Sequence, residues 1–86
     1  MFSENQNTYK QFGSFIRYAR LRRKLSQGEV AEMIGVTQAY YHYIEYGKRQ
    51  ISLEMALHIC EVMSLDFNDF LVTLKKKQPP VIRPKI

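Results

Sequence analysis

Residues 25–49, LSQGEVAEMIGVTQAYYHYIEYGKR, leave this chain little freedom in how it folds. Ser26 followed three residues later by Glu29 is a capping box. The hydroxyl accepts from an orphan amide of a first helical turn, and the carboxylate reaches back to the Ser26 amide. Val30, Ala31 and Ile34 continue as an apolar stripe at helical spacing. Gly35 stands where that helix must stop, able to take the left-handed conformation that other residues resist. Thr37 is an N-cap for a second helix over about 38–46, closed by Gly47. Tyr41 and Ile44 fall on one side of it, and Gln38, Ala39, His42 and Tyr43 mostly elsewhere.

The flanks also read as helices. From about Lys10 to Arg23, Phe12, Phe15, Ile16 and Ala19 recur at helical spacing, with the arginines outward. After Gly47, Ser52 caps a helix with Leu53, Ala56, Leu57, Cys60 and Met63 expected inward. Asp66 then caps a last helix carrying Phe67, Phe70, Leu71 and Leu74. Asp69 lies in its first turn and Lys75, Lys76 and Lys77 at its far end, each sign complementing the helix dipole. The expectation is an all-α domain over residues 10–77. A flexible polar segment over 1–9 precedes it, and a flexible tail over 78–86, containing Pro79, Pro80 and Pro84, follows.

At 86 residues the chain has room for one small domain, which buries about 60–65% of its unfolded surface. A single cysteine, Cys60, excludes an internal disulfide framework, and with only His42 and His58 beside it no zinc site can be assembled. Its spacing from Leu57 and Met63 marks it as a small buried hydrophobe. There is no basic leader followed by an apolar run, and no stretch approaches the roughly 20 apolar residues that span a bilayer. A cytoplasmic protein with no membrane association is expected. A phosphate-cradling glycine loop, a cysteine–histidine pair at motif spacing and a metal-ligand cluster are all lacking, so neither an enzyme nor a cofactor is expected.

Charge points to a partner. The net charge is +5 and the sequence pI about 9.5, which favours anionic partners. Lys10, Arg17, Arg20, Arg22, Arg23 and Lys24 form a run with no acid among them, and Lys48 and Arg49 follow the second motif helix. Glu54, Glu61, Asp66 and Asp69 fall in the C-terminal half. One positive side suits a phosphate backbone. Two short helices joined by a tight glycine turn form a helix-turn-helix, whose second helix enters the DNA major groove.

LSQGEVAEMIGV, followed by Thr37, Gln38, Ile44, Glu45 and the GKR of Gly47, Lys48 and Arg49, resembles the Cro/repressor (XRE) type of helix-turn-helix regulator. FGSFIRYAR upstream is similar to that family's first helix, and ISLEMALHICEVMSLDFNDFL downstream to its fourth and fifth, so the resemblance covers roughly residues 10–75. It implies a compact five-helix, lambda-repressor-like DNA-binding domain and a homodimeric transcriptional regulator, most simply a repressor, on a pseudo-palindromic operator. It implies a structural ion pair between Arg20 and Glu45, phosphate contacts from Gln27 and from Tyr46, and dimer contacts from Phe67, Phe70, Leu71 and Leu74 on the last helix. Lys24 and Ser64 stand where the family often has glycine. Tyr40, Tyr41, Tyr43 and Tyr46 make the second motif helix unusually aromatic.

The chemistry of that helix suggests how bases are read. The Gln38 carboxamide both donates and accepts, matching N7 and N6 of adenine, and Ala39 is small enough to meet a thymine methyl. Tyr43 offers a ring to thymine methyls or a hydroxyl to phosphate, and His42 a hydrogen bond to base or backbone. Lys48 and Arg49 hold the backbone and carry no sequence information. The competing reading is an antitoxin or similar regulator that uses the same fold to contact a protein partner.

Overall fold

The computed structural model describes residues 6–76. Five helices follow one another: α1 (Gln6–Arg22), α2 (Gln27–Ile34), α3 (Gln38–Glu45), α4 (Leu53–Val62) and α5 (Phe67–Lys76). There is no strand among the described residues. The capping box at Ser26 forms in full, Glu29 N donating to Ser26 Oγ at 3.0 Å and Ser26 N to Glu29 Oε1 at 2.7 Å. Thr37 and Ser52 cap α3 and α4 by accepting from the amides of Tyr40 and Met55.

One device ends each of the first four helices. A residue in the left-handed region turns the chain so that the next amide reaches back five residues: Leu25 N to Arg20 O, Val36 N to Ala31 O, Lys48 N to Tyr43 O and Leu65 N to Cys60 O. The left-handed residues are Lys24 (φ 58°), Gly35 (φ 93°), Gly47 (φ 68°) and Ser64 (φ 57°). Two are glycine, as this closure prefers, and two are not. Lys24 and Ser64 therefore carry the steric cost of a Cβ in that region.

The core gathers Tyr9, Phe12, Phe15, Ile16 and Ala19 of α1, Val30, Ala31 and Ile34 of α2, and Tyr41 and Ile44 of α3. Ala56, Ile59, Cys60 and Met63 of α4 and Phe70 of α5 complete it, with Ile51 and Leu65 from the connections. Phe12, Phe15, Phe67 and Phe70 form one aromatic cluster, with Phe12 and Phe70 edge to face at 5.2 Å between centroids. Such pairs stabilise beyond their area by about 0.5–1.5 kcal/mol.

The expected boundaries need two corrections. The first helix begins at Gln6 rather than near Lys10, because Thr8 and Tyr9 are buried and extend its packed face. Of the segment expected to be flexible, residues 6–9 are thus helical, while residues 1–5, like Lys77 and the tail over 78–86, lie outside the described residues. In α4, Leu53 and Leu57 are exposed rather than inward, and Ile59 takes the buried place. LEMALHICEV is apolar on most of its circumference, so periodicity alone does not say which face turns in.

Candidate nucleic-acid interface

α3 is anchored from behind. The Glu45 carboxylate, with a side chain 0% exposed, receives Arg20 Nε on Oε2 at 2.6 Å and Arg20 Nη2 on Oε1 at 3.2 Å. Arg20 Nη1 donates to the Leu25 carbonyl at 2.8 Å, so one guanidinium ties α1 to both the end of α3 and the entry to α2. Burial alone would raise the Glu45 carboxyl, but the hydrogen bonds from Arg20 first, with the neighbouring Tyr41 hydroxyl and the Gln27 amide, outweigh it and hold it below the usual carboxylate range. Its hydrogen bond to Glu45 raises the Arg20 guanidinium in turn. The Tyr41 hydroxyl is buried beside the pair without a well-formed hydrogen bond, and burial foremost pushes it far above the ordinary phenol value.

Backbone packing backs up the ion pair. A Cβ built on Gly13 would stand 2.2 Å from the Glu45 carbonyl oxygen, and one on Gly47 2.5 Å from Lys10 Cα. α1 therefore lies directly on the C-terminal end of α3, which only glycine at these positions permits.

The opposite face of α3 is open. Gln38, Ala39, His42, Tyr43 and Tyr46 are all exposed, the two tyrosines at 49% and 45%. Gln38 lies beside the start of α2, where a Cβ on Gly28 would come 3.2 Å from its Oε1, so Gly28 leaves room for the carboxamide. His42 packs at 4.6 Å between centroids against the Tyr46 ring and at 5.8 Å, edge to face, against Tyr43. Past the helix, Lys48 is exposed, and the Arg49 guanidinium lies 4.9 Å from the centre of the Tyr40 ring. This cation–π contact aligns a charge beside the face without neutralising it.

Gln27, expected to contact phosphate, has its side chain turned to other residues of the protein. Its Nε2 donates to Glu45 Oε1 at 3.0 Å, and its Oε1 lies 3.3 Å from His42 Nδ1, so both ends of the carboxamide are engaged within the protein. What the start of α2 still presents is its backbone amides, which have no partner inside the helix. On α5 the expected dimer residues divide. Phe70 is 1% exposed and belongs to the core, Phe67 and Leu74 are partly buried against it, and Leu71 is 43% exposed. Val72, at 40%, adds to the outer apolar surface, and Leu57 borders a groove with Leu65 and Phe67 between α4 and α5.

Some roles were not read from the sequence. Arg23, counted there with the positive run, donates Nη1 to the Met63 carbonyl at 3.0 Å, and His58 donates Nε2 to the Ile34 carbonyl at 3.0 Å. These bonds fasten the end of α4 to α1 and the end of α2 to α4. Both partners are backbone carbonyls far away in the chain, so no residue pattern announces them. Gly13 did carry a signal, being an isolated glycine inside a helical pattern.

The helix-turn-helix family profile matches residues 16–70. Among solved structures, the fold is similar to the clp gene regulator ClgR from Corynebacterium glutamicum, with a TM-score of 0.74, 21% identity, and coverage of 81% of this chain and 91% of that one. It is also similar to the restriction-modification controller protein C.AhdI from Aeromonas hydrophila, with a TM-score of 0.70, 24% identity, and coverage of 79% and 99%. No curated protein matches the chain in sequence.

Proposed function

The chain belongs to the helix-turn-helix family of DNA-binding transcriptional regulators, of the Cro/repressor type, and from that premise we propose that it is a repressor that binds a pseudo-palindromic operator as a homodimer. The observation that carries this reading is the asymmetry of α3: one side is locked to α1 through Arg20 and Glu45, and the other holds Gln38, Ala39, His42 and Tyr43 open to solvent. A reading helix needs that rigidity, because a base contact mispositioned by an ångström is lost.

With α3 in the major groove, Gln38 pairs with adenine, Ala39 and Tyr43 meet thymine methyls, and His42 bonds a base edge. Phosphates are held by Lys48, Arg49 and the Tyr46 hydroxyl, and by Gln27 through its backbone amide at the positive end of α2. A single module of this size buries limited DNA surface, so two copies on half-sites roughly one helical turn apart are needed for useful affinity. Leu71 and Val72, with the exposed edge of Phe67, supply the apolar surface for that pairing. ClgR and C.AhdI are named for gene regulation and control, and a regulatory role is proposed for this chain as well.

Selection from a random-sequence duplex pool near physiological salt tests the proposal. Enrichment of a two-fold symmetric motif is the expected outcome. A folded protein that enriches no sequence would overturn it in favour of a regulator whose aromatic α3 contacts a protein partner.

A further inference from the structure

We infer that the hydrogen-bond polarity across the interface fixes His42 as an acceptor, so that it reads a base by the exocyclic amino group of cytosine or adenine, with Gln27 as the residue that sets this polarity. The base contact rests on the DNA-reading role proposed above; the polarity stands on the protein alone.

The order of bonds is forced step by step. Glu45 receives two bonds from the Arg20 guanidinium, and its carboxyl is ionised, so it can only accept. The atom of Gln27 that faces Glu45 Oε1 at 3.0 Å must therefore be the NH2 group. The reverse orientation would set two acceptors against each other and forfeit a charge-assisted bond. With Nε2 committed there, the Gln27 oxygen faces His42 Nδ1 at 3.3 Å. An amide oxygen is an acceptor, so Nδ1 must carry the proton. In a neutral imidazole that leaves Nε2 with a bare lone pair.

The chain of bonds thus runs from a buried ion pair through α2 to the exposed face of α3, and it ends in an acceptor. The rings of Tyr46 and Tyr43 flank His42 and hold the imidazole in place. Adenine N6 and cytosine N4 are the amino donors of the major groove. Guanine O6 and N7, thymine O4 and phosphate oxygens only accept, and a neutral His42 of this polarity offers them nothing. Gln38 at the helix start can both donate and accept, so the two readers differ in kind. Gln27 is accordingly a positioning residue acting through His42, and its carboxamide is not free for phosphate while the chain is intact.

The first measurement is the 15N correlation spectrum of the histidine rings in the full, DNA-free chain, at a pH where both are neutral. His42 is expected as the Nδ1–H tautomer and His58, which donates Nε2 to Ile34, as the opposite one. An imidazole without such a partner mostly carries its proton on Nε2, so Gln27→Leu should return His42 to that form. An Nε2–H signal for His42 in the unaltered protein overturns the polarity. The second measurement is duplex selection with the unaltered chain, Gln27→Leu and His42→Ala, each shown by its melting transition to be fully folded at the assay temperature. The unaltered chain should favour cytosine or adenine at one position per half-site by roughly three- to tenfold, the worth of one neutral hydrogen bond. Both variants should lose that preference while the adenine read by Gln38 persists. A uniform loss of affinity on every sequence, or an unchanged preference, overturns the base contact. Failure to enrich any sequence while His42 remains Nδ1–H overturns the DNA-reading role itself.

Discussion

At the scale of single residues, the pair of Arg20 and Glu45 decides both stability and placement. Each is nearly or wholly removed from solvent, so deleting one leaves the other charged and unpaired in the interior, at a cost of about 3–5 kcal/mol. The sign of the pH dependence follows from the carboxyl lying below its ordinary value of 4.5 in the folded state. Its stabilisation is fully present above that value and is lost as pH falls through the lower folded value. Glu45→Gln should therefore melt several degrees lower at neutral pH and show a flatter decline on acidification; an acid limb as steep as in the unaltered chain would assign the loss to other carboxylates. On the proposed reading, two exposed residues separate specificity from affinity. Gln38→Ala should relax preference at one base pair per half-site by about 1–3 kcal/mol. Lys48→Ala should weaken all sequences alike and lower the salt slope by about one. Titrations on matched and mismatched duplexes at several salt concentrations measure both, and equal effects on every duplex would refute the assigned division.

At the scale of elements, four helix ends share one left-handed closure, but only Gly35 and Gly47 suit it sterically. Lys24→Gly and Ser64→Gly should each stabilise the fold by about 0.5–1 kcal/mol, since relief of the Cβ clash exceeds the extra entropy glycine loses on folding. For a domain of this size that raises Tm by a few degrees, and a lower Tm in either variant would contradict it. Gly13→Ala tests the opposite case. Alanine gains about 1 kcal/mol in helix propensity, yet its Cβ would meet the Glu45 carbonyl at 2.2 Å. We expect a net loss of about 1–3 kcal/mol by thermal or urea denaturation, and a neutral result would mean that α1 does not sit on the end of α3. These elements also show what the sequence could disclose. The caps Ser26, Thr37 and Ser52 and the stops Gly35 and Gly47 were legible because their chemistry is local, whereas Lys24 and Ser64 were marked only by the family resemblance, which puts glycine there. The facing of α4 was not, because its apolar residues surround the helix and only its neighbours choose between Leu57 and Ile59. The site divides in the same way. The open residues of α3 follow from its period, whereas the engagement of Gln27 with Glu45 and His42 joins residues 18 and 15 apart in sequence, which no local pattern announces.

At the scale of the whole molecule, the fold separates two surfaces that a dimeric regulator would use independently. α3 carries the open face proposed to read bases, and α5 with the edge of α4 carries Leu71, Val72 and Leu57 in the open. Phe70, which the apolar pattern of α5 alone would equally nominate for pairing, is 1% exposed and braces Phe12 and Phe15. Its truncation would cost about 3–5 kcal/mol of stability and so could not test assembly cleanly. Leu71→Glu can, because the side chain it alters is already partly in water. A charge placed there should abolish self-association in sedimentation equilibrium while the melting transition of the dilute monomer changes by no more than about 0.5 kcal/mol. On DNA the same variant should keep the weak affinity of the unaltered chain for a single half-site and lose the added affinity that linking two half-sites provides. If the unaltered chain sediments as a monomer at concentrations that saturate a full operator, or if Leu71→Glu binds that operator undiminished, pairing through α5 is refuted and the operator's two-fold symmetry must be met by another surface.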